Sequence, residues 1–285
     1  MRSISRASAV IACPFLFLAW IACAQQPAAT HPQAFPKVTI AGSEVRTMKS
    51  TSTGRDNDLY IHLPSNYDGD KTKKYPVLYI LDGQWDFKLM DAVLGGLVYD
   101  KFVPEMIMVG ITYSGDHADY DGLRAMDYTP TADPHVKGSG NGPNFLKFLK
   151  TELIPFMEAN YRADSSRRVL QGSSYAGLFT LYALFAEPGL FSGYMAASPA
   201  VPFDDSYVFK QEAEYARTHK ELPVKLFLAV GGSEGLTAPV QEFMRTLQSR
   251  GYKGLRLETR VIEGERHAGN KPETFNRGLR FLFSE

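Results

Sequence analysis

Cysteine is nearly absent from this chain of 285 residues. The two cysteines are Cys13 and Cys23, and there is none from Gln25 onward. If the first 24 residues are removed, as argued below, the mature protein has no disulfide bond and no thiol chemistry. Its fold must then depend on a hydrophobic core, and about 260 residues are enough to bury a large one.

An excess of charge of either sign is also missing. The chain has 31 basic and 31 acidic residues, so its formal net charge at pH 7 is zero with histidine neutral. It contains no basic stripe that would attract nucleic acid or an anionic lipid surface. Beyond the N-terminal segment, no apolar run approaches the ~18 residues of a membrane-spanning helix. We therefore predict neither nucleic-acid binding nor a membrane span.

The first 24 residues have the pattern of a secretory signal peptide. Arg2 and Arg6 precede an apolar stretch at 9–22, and Ala22-Cys23-Ala24 forms an A-x-A cleavage site. We favour cleavage after Ala24, which predicts a periplasmic or secreted protein. The alternative is a lipoprotein signal with lipidation at Cys23, because Ile21-Ala22-Cys23 matches that signal in part.

The rest of the chain divides into a leader and one domain. Residues 25–37 are rich in proline, alanine and glutamine, which is typical of a flexible leader. From residue 38 to 285, strand-like and helix-like segments alternate without an internal repeat. This alternation predicts a single α/β domain with a mostly parallel sheet and helices on both faces. Two long connections, 114–142 and 201–222, have the length of lids or substrate-binding walls.

The predicted elements follow from the periodicity of apolar residues. The second long connection is partly helical by its pattern. The predicted strands are 45–50, 58–63, 75–81, 106–111, 168–170, 194–197, 224–230 and 255–262, and the predicted helices are 87–98, 144–161, 178–185, 238–250 and 272–283.

The motif Gly172-Ser-Ser-Tyr-Ala-Gly177 lies between a predicted strand and a predicted helix. In that setting a G-x-S-x-[GA] pattern predicts a nucleophile elbow. A sharp turn strains the backbone, so the residues two positions either side of the serine must be small, as Gly172 and Ala176 are. The adjacent Ser173 has larger residues at both positions. We therefore predict that Ser174 is the nucleophile.

His267 is the predicted general base. A serine hydroxyl is a weak nucleophile at neutral pH and needs a base to take its proton. His267 is the one histidine between the last predicted strand and the last predicted helix, where a fold with this elbow places its base. The other histidines lie in the leader, in a strand, in the first long connection or on a polar stretch, and they are His31, His62, His117, His135 and His219.

Glu234 is the predicted acid that orients His267. It follows the predicted strand 224–230 and produces the chain order Ser, Glu, His. Asp204 and Asp205, after the preceding strand, are reserve candidates. Glu263 and Glu265 are close to His267 in sequence, but we expect their side chains to point elsewhere.

Two backbone N–H groups are predicted to form an oxyanion hole. One belongs to Tyr175, the residue after the nucleophile, and sits at the start of a helix. The other is assigned to Gln84, in the turn after the third strand, because Gly83 would let the backbone turn sharply there. Trp85 beside it is predicted to form part of the pocket wall. The segment around Gly83 is also compatible with an ordinary strand-ending turn.

Several segments together resemble the putative esterase family of α/β-hydrolases, which includes siderophore esterases, S-formylglutathione hydrolase, feruloyl esterases and mycolyltransferases. The matching segments are YILDGQ at 79–84, the elbow at 172–177, VGGSE at 230–234, and His267 with NRGLRFL at 276–282. The resemblance runs from about Val38 to the C-terminus and implies the α/β-hydrolase fold.

The segment RAMDYTP at 124–130 is similar to one found in the periplasmic siderophore-esterase branch of this family. Two departures from the family pattern occur at the elbow, where Ala176 replaces the commoner glycine and Ser173 stands where relatives often have histidine. Some siderophore esterases are thought to work with a Ser–His pair, so the need for an acid such as Glu234 stays open.

Arg124, Trp85 and Tyr113 are the predicted substrate-binding residues. Arg124 has two interpretations that we leave open: it clamps an anionic group of the substrate, or it pairs with Asp127 and holds the long connection. Trp85, Tyr113 and Tyr175 would suit an aromatic ligand such as a catecholate.

The sequence thus predicts an exported serine esterase that acts on a small-molecule ester, of the siderophore-esterase type as one possibility. We predict no metal and no organic cofactor, because the histidines lack metal-ligand spacing. Two alternatives are kept: an acyltransferase of the mycolyltransferase type, and a non-catalytic ligand-binding protein on a hydrolase scaffold.

Overall fold

In the computed structural model, which describes residues 38–284, an eight-stranded sheet runs through the unit that begins at Ile40. The order across the sheet is β1-β2-β4-β3-β5-β6-β7-β8. β2 is antiparallel to both of its neighbours, and all the other pairs are parallel. The strands are β1 (Ser43–Lys49), β2 (Asp56–His62), β3 (Tyr75–Ile80), β4 (Ile107–Tyr113), β5 (Ala163–Ser173), β6 (Gly193–Ala197), β7 (Lys225–Gly231) and β8 (Arg256–Ile262).

The helices cover both faces of this sheet. They are α1 (Gly83–Tyr99), α2 (Tyr120–Asp127), α3 (Gly142–Phe148), α4 (Ile154–Asn160), α5 (Tyr175–Ala186), α6 (Phe203–Thr218), α7 (Thr237–Arg250) and α8 (Lys271–Phe283). A π-helical turn at Leu149–Leu153 joins α3 to α4. Near its start, α6 departs from helical geometry at Asp204, Asp205 and Ser206, which all have positive φ.

Two layers of buried side chains separate the sheet from its helices. Successive β3 residues point to opposite faces, so Leu78 and Ile80 pack in the layer that contains α1 and α8. Val77 and Tyr79 pack on the opposite side, in the layer that contains α3 to α7. Every residue of β3 and β4 is buried, as expected for parallel strands covered on both faces. The sheet is therefore a rigid support for the loops at its ends.

The α/β-hydrolase fold predicted from the sequence is confirmed. Each predicted strand and helix is present, although β5 begins five residues earlier, at Ala163 rather than at Arg168. The predicted helix 144–161 is divided by the π-helical turn. Helix α2 was not predicted, because its eight residues lie in a connection with little apolar periodicity.

The predicted signal peptide at 1–24 and the leader at 25–37 lie outside the described residues. Within residues 38–284, no helix is long and apolar enough to cross a membrane.

Candidate active site

The carboxyl ends of the parallel strands bring the predicted site residues to one edge of the sheet. Backbone hydrogen bonds join the loops at this edge. The Ser174 N–H donates to the carbonyl oxygen of Ala197 at the end of β6, at 2.9 Å, and the Ser198 N–H donates to that of Ala229 in β7, at 2.7 Å. The turn after β5 is therefore bonded to the end of β6, and the loop after β6 is bonded to β7.

Ser174 occupies the apex of a strained turn between β5 and α5. Its φ is 62° and its ψ is −120°, a conformation that costs a non-glycine residue about 1–3 kcal/mol. The surrounding backbone holds this conformation, because the Ser174 carbonyl accepts from the N–H groups of Leu178 at 2.9 Å and Ala200 at 3.1 Å. A Cβ on Gly172 would lie 2.2 Å from the carbonyl oxygen of Ala176, so only glycine fits at that position.

Two backbone N–H groups beside this turn have no hydrogen-bond partner among residues 38–284. They belong to Tyr175, the first residue of α5, and Gln84, in the first turn of α1. Helix starts leave such donors free. The Leu81 N–H donates to the carbonyl of Gln171 at 3.0 Å, which brings the two turns side by side. Both donors are thus available to an oxygen atom that carries developing negative charge.

The role predicted for Gly83 is corrected by the structure. The left-handed residue of this turn is Asp82, with φ 55° and ψ 42°, and Gly83 does not have a positive φ. Glycine is required at 83 for a different reason. A Cβ there would lie 2.8 Å from the carbonyl carbon of Gly110, so the start of α1 could not approach β4 as closely as it does.

Glu234 and His267 are in direct contact. The Glu234 Oε2 lies 2.5 Å from His267 Nδ1, and the side chains are 5% and 45% exposed. The other carboxylate oxygen, Oε1, accepts from the Gly231 N–H at 2.7 Å and from the Ser198 hydroxyl at 2.5 Å. A proton on Nδ1 that faces the carboxylate leaves Nε2 as the acceptor of the ring. In that tautomer, Nε2 is free to accept a hydrogen bond.

Ser198 and Asn270 belong to this network, although neither was predicted from the sequence. Asn270 is fully buried, and its Nδ2 donates to Ser198 Oγ at 2.9 Å and to the carbonyl of His267 at 2.8 Å. Asn270 therefore connects the backbone of the base to the hydroxyl that binds Glu234. The sequence indicates them only by position, since Ser198 immediately follows β6 and Asn270 immediately precedes α8.

The other carboxylates considered as acids do not contact His267. Asp204 accepts a hydrogen bond from the Thr131 hydroxyl at 2.5 Å, which ties the two long connections together. Asp205 pairs with Lys210 at 2.7 Å on the surface. Glu263 and Glu265 are exposed.

Trp85 and Tyr113 differ in their access to a ligand. Trp85 is 43% exposed, and its ring centroid lies 5.8 Å from that of Tyr120. Tyr113 is only 4% exposed, and its ring centroid lies 6.4 Å from that of Tyr120. Burial raises the pKa of the Tyr113 hydroxyl well above its usual range, with nearby Tyr128 adding to the shift. Trp85 is therefore accessible to a bound molecule, whereas the buried Tyr113 is not, which argues against direct substrate contact by Tyr113.

Arg124 pairs with Asp82 and not with Asp127, which corrects one of its two interpretations. The Arg124 Nε and Nη2 donate to the two carboxylate oxygens of Asp82 at 2.6 and 2.9 Å. Asp127 forms its ion pair with Arg55 instead. Burial raises the pKa of the Asp82 carboxyl, and hydrogen bonding to Arg124 opposes this shift.

A second buried ion pair lies beside the elbow. Asp86 on α1 accepts from Lys271 Nζ at 2.7 Å and from the Ser173 hydroxyl at 3.2 Å. Ser173, which stands where relatives often have histidine, thus has Asp86 as its hydrogen-bond partner. Asp86 thus joins α1, the elbow and the start of α8, the helix that follows His267.

The model of the Putative esterase family matches residues 50–268. The chain belongs to this family. Membership of this family, together with the esterases described next, shows that the chain is a carboxylic ester hydrolase.

Relatives of this esterase come from the siderophore-esterase branch. The ferri-bacillibactin esterase BesA of Bacillus subtilis strain 168 is 28% identical over 263 residues, which are 85% of this chain and 90% of that protein. The crystal structure of the BES protein from Bacillus cereus has a TM-score of 0.80 and 26% identity, and the match covers 90% of this chain and 100% of that one. An IroE-like serine hydrolase from Shewanella oneidensis has a TM-score of 0.75 and 26% identity, with coverage of 85% and 80%.

The resemblance inferred from the sequence motifs is confirmed by these similarities. The matched region of the esterase contains every residue that the motifs assigned to the site, from Gln84 to His267.

Proposed function

We propose that this esterase is an exported serine hydrolase in which Ser174, His267 and Glu234 act together. The observation that carries the proposal is the 2.5 Å contact between Glu234 and His267, at the same sheet edge as the strained turn of Ser174. The similarity to an enzyme described as a serine hydrolase supports it. The signal-peptide pattern at 1–24 supports export to the periplasm or beyond.

In the proposed mechanism, His267 Nε2 takes the proton of the Ser174 hydroxyl as the serine oxygen attacks the ester carbonyl. The carbonyl oxygen becomes an anion that accepts hydrogen bonds from the N–H groups of Tyr175 and Gln84. His267 then protonates the leaving alcohol, and an acyl group remains on the serine. Water, deprotonated by the same histidine, attacks the acyl-enzyme and releases the acid.

Glu234 holds the histidine in the orientation that these steps need. Its carboxylate faces Nδ1 and stabilises the imidazolium form while the proton is on the ring. The carboxylate itself accepts hydrogen bonds from the Ser198 hydroxyl and the Gly231 N–H. These bonds restrict the movement of the Glu234 side chain.

We propose a siderophore-type ester as the substrate. A relative matched over 85% of this chain is named a ferri-bacillibactin esterase, and one matched over 57% is named a siderophore triacetylfusarinine C esterase. The exposed ring of Trp85 supplies an aromatic surface beside the proposed oxyanion hole, which suits a substrate that contains aromatic rings.

The decisive experiment measures turnover of short p-nitrophenyl esters by the wild type and by Ser174→Ala. We expect the variant to lose activity by about three orders of magnitude or more, because the nucleophile is removed. Turnover at the wild-type rate would overturn the proposal. Labelling by a fluorophosphonate probe that disappears in Ser174→Ala would exclude a non-catalytic binding protein.

Two further measurements address the substrate and the acceptor. A hydrolysis screen would compare a ferric tri-catecholate lactone, feruloyl esters and plain acyl esters, and we expect the lactone to have the highest kcat/KM. Product analysis with added alcohols would separate hydrolysis from acyl transfer, since a transferase forms a new ester with the acceptor.

A further inference from the structure

The turn that carries Gln84 depends on a single left-handed residue, Asp82. Every polar group of Asp82 is engaged. Its carbonyl accepts from the N–H groups of Trp85 at 2.9 Å and Asp86 at 3.0 Å, and these bonds begin α1. Its N–H donates to the Tyr128 hydroxyl at 3.2 Å. An aspartate tolerates the left-handed conformation better than most residues, but it needs fixed partners to stay there.

Most of the external support for Asp82 comes from one segment, α2 with the residue that follows it. Arg124 binds both carboxylate oxygens, and Tyr128, at the end of the same helix, binds the N–H. The guanidinium also lies 5.0 Å from the Trp85 ring and 6.0 Å from the Tyr128 ring. Two aromatic rings and one carboxylate thus surround Arg124, and its side chain is only 13% exposed.

A planar guanidinium that binds both oxygens of a carboxylate fixes the orientation of that carboxylate, which an ammonium group cannot do. Asp82 is itself 1% exposed, so it cannot exchange this partner for water without a large cost. The carboxylate belongs to Asp82, the residue that begins the turn. A change in its orientation would therefore also move the backbone of Gln84, two residues later.

We propose that Arg124 and Tyr128 are positioning residues for the oxyanion hole, acting through Asp82. This inference rests on the proposed function, because it assumes that the Gln84 N–H binds the developing oxyanion. It assigns Arg124 a role that differs from a clamp for an anionic substrate group. The unpredicted helix α2 then has a function, since it carries the group that holds the turn in place.

The test uses two substrates of equal chain length that differ in charge, p-nitrophenyl hexanoate and the mono-p-nitrophenyl ester of adipic acid. A displaced oxyanion donor weakens transition-state binding for both esters alike. We therefore expect Arg124→Lys to lower kcat by about 10-fold to 100-fold on both, with KM nearly unchanged, since a small misplacement of catalytic groups has effects of this size. Arg124→Met should lower kcat further.

Tyr128→Phe is an independent variant that keeps the aromatic packing and removes only the acceptor of the Asp82 N–H. We expect a kcat loss of about 3-fold to 10-fold, again equal for the two esters. This variant decides the question if Arg124→Met fails to fold.

Arg250→Lys is the matched control. Arg250 also binds both oxygens of a fully buried carboxylate, Glu212, but it does so between α6 and α7. We expect it to lower stability as Arg124→Lys does while kcat stays at the wild-type value.

Two results would overturn the inference. One is a wild-type kcat in both Arg124→Lys and Tyr128→Phe. The other is a loss confined to the KM of the adipate ester, which would make Arg124 a substrate clamp. Failure of the proposed function is a separate result, since the wild type would then not hydrolyse either ester or Ser174→Ala would retain activity.

Discussion

The carboxylate of Glu234 lies 2.5 Å from Nδ1 of His267, although the two residues are 33 positions apart in the chain. The side chain of Glu234 is 5% exposed and that of His267 is 45% exposed, so the carboxylate contacts the imidazole from the interior. This arrangement suits a base that must reach a substrate while its orientation is set from behind.

Removal of the Glu234 carboxylate tests whether the acid is needed. Glu234→Gln should lower kcat by roughly 10³-fold to 10⁴-fold with little change in KM, because the amide cannot stabilise the imidazolium form. Initial-rate kinetics on p-nitrophenyl esters would measure this, with Glu263→Gln as the control, since that carboxylate is exposed. Nearly unchanged kcat in Glu234→Gln would mean that a Ser–His pair is sufficient.

Ser198 is expected to matter through Glu234. Ser198→Ala removes the hydroxyl that donates to Glu234 Oε1 and accepts from Asn270. A hydrogen bond to a charged group contributes about 1.5–3 kcal/mol, so we expect kcat to fall about 10-fold to 100-fold. Ser192→Ala, which removes an exposed hydroxyl before β6, should leave kcat unchanged. Equal rates in the two variants would argue against a role for Ser198.

Gly172 should not tolerate any side chain. In Gly172→Ala the new Cβ would meet the backbone of Ala176 at 2.2 Å, and we expect the free energy of unfolding to fall by about 3 kcal/mol. Gly95→Ala in α1 is the control, because its Cβ has no atom within 4 Å and should raise that free energy by about 0.5–1 kcal/mol. Urea denaturation measures both changes. Equal stability of the two variants would contradict the close approach at the elbow.

Lys271 should be needed for stability. Lys271→Met leaves the buried Asp86 carboxylate without its cationic partner, and loss of one partner of a buried pair costs about 3–5 kcal/mol. Lys150→Met is the comparison, because its partner Glu187 is exposed and such pairs contribute at most about 1 kcal/mol. Similar denaturation midpoints for the two variants would show that the ion pair of Lys271 with Asp86 contributes little to stability.

Glu152 should make stability depend on pH at the acid end. Burial tends to raise the pKa of this carboxyl, but hydrogen bonds from Ser52 and Thr51 outweigh it and lower the pKa. The stability that Glu152 contributes is therefore present above the pKa of the unfolded chain, about 4.3. It is lost as the pH falls through the lower pKa of the folded state.

Glu152→Gln should accordingly reduce the free energy of unfolding at pH 7 by about 1 kcal/mol, and the difference from wild type should shrink below pH 4. Denaturation curves across this range would measure it, with the exposed Glu242→Gln as a control that shows no such trend. A difference that stays constant down to pH 3 would exclude the lowered pKa.

Much of the fold could be predicted because its elements differ in periodicity. The apolar runs of β3 and β4 and the spaced apolar residues of α8 are local patterns that survive in the structure. Helix α2 was missed because its eight residues bury few apolar side chains, and what holds it in place is the ion pair of Arg124 with a residue 42 positions away. The pattern of apolar residues within a short segment cannot predict an ion-pair partner so far away in the chain.

The sequence by itself determined that Ser174, Glu234 and His267 lie on loops at one edge of the sheet, because the order of strands and turns decides which loops reach the same edge. It also determined that small residues, Gly172 and Ala176, stand two positions either side of Ser174, since local sterics are a property of neighbouring positions. Only the tertiary structure decided that Arg124 binds Asp82 rather than Asp127, and that Asn270 and Ser198 support Glu234. These pairings depend on the directions in which side chains leave separate elements, and those directions are set by packing after the chain has folded.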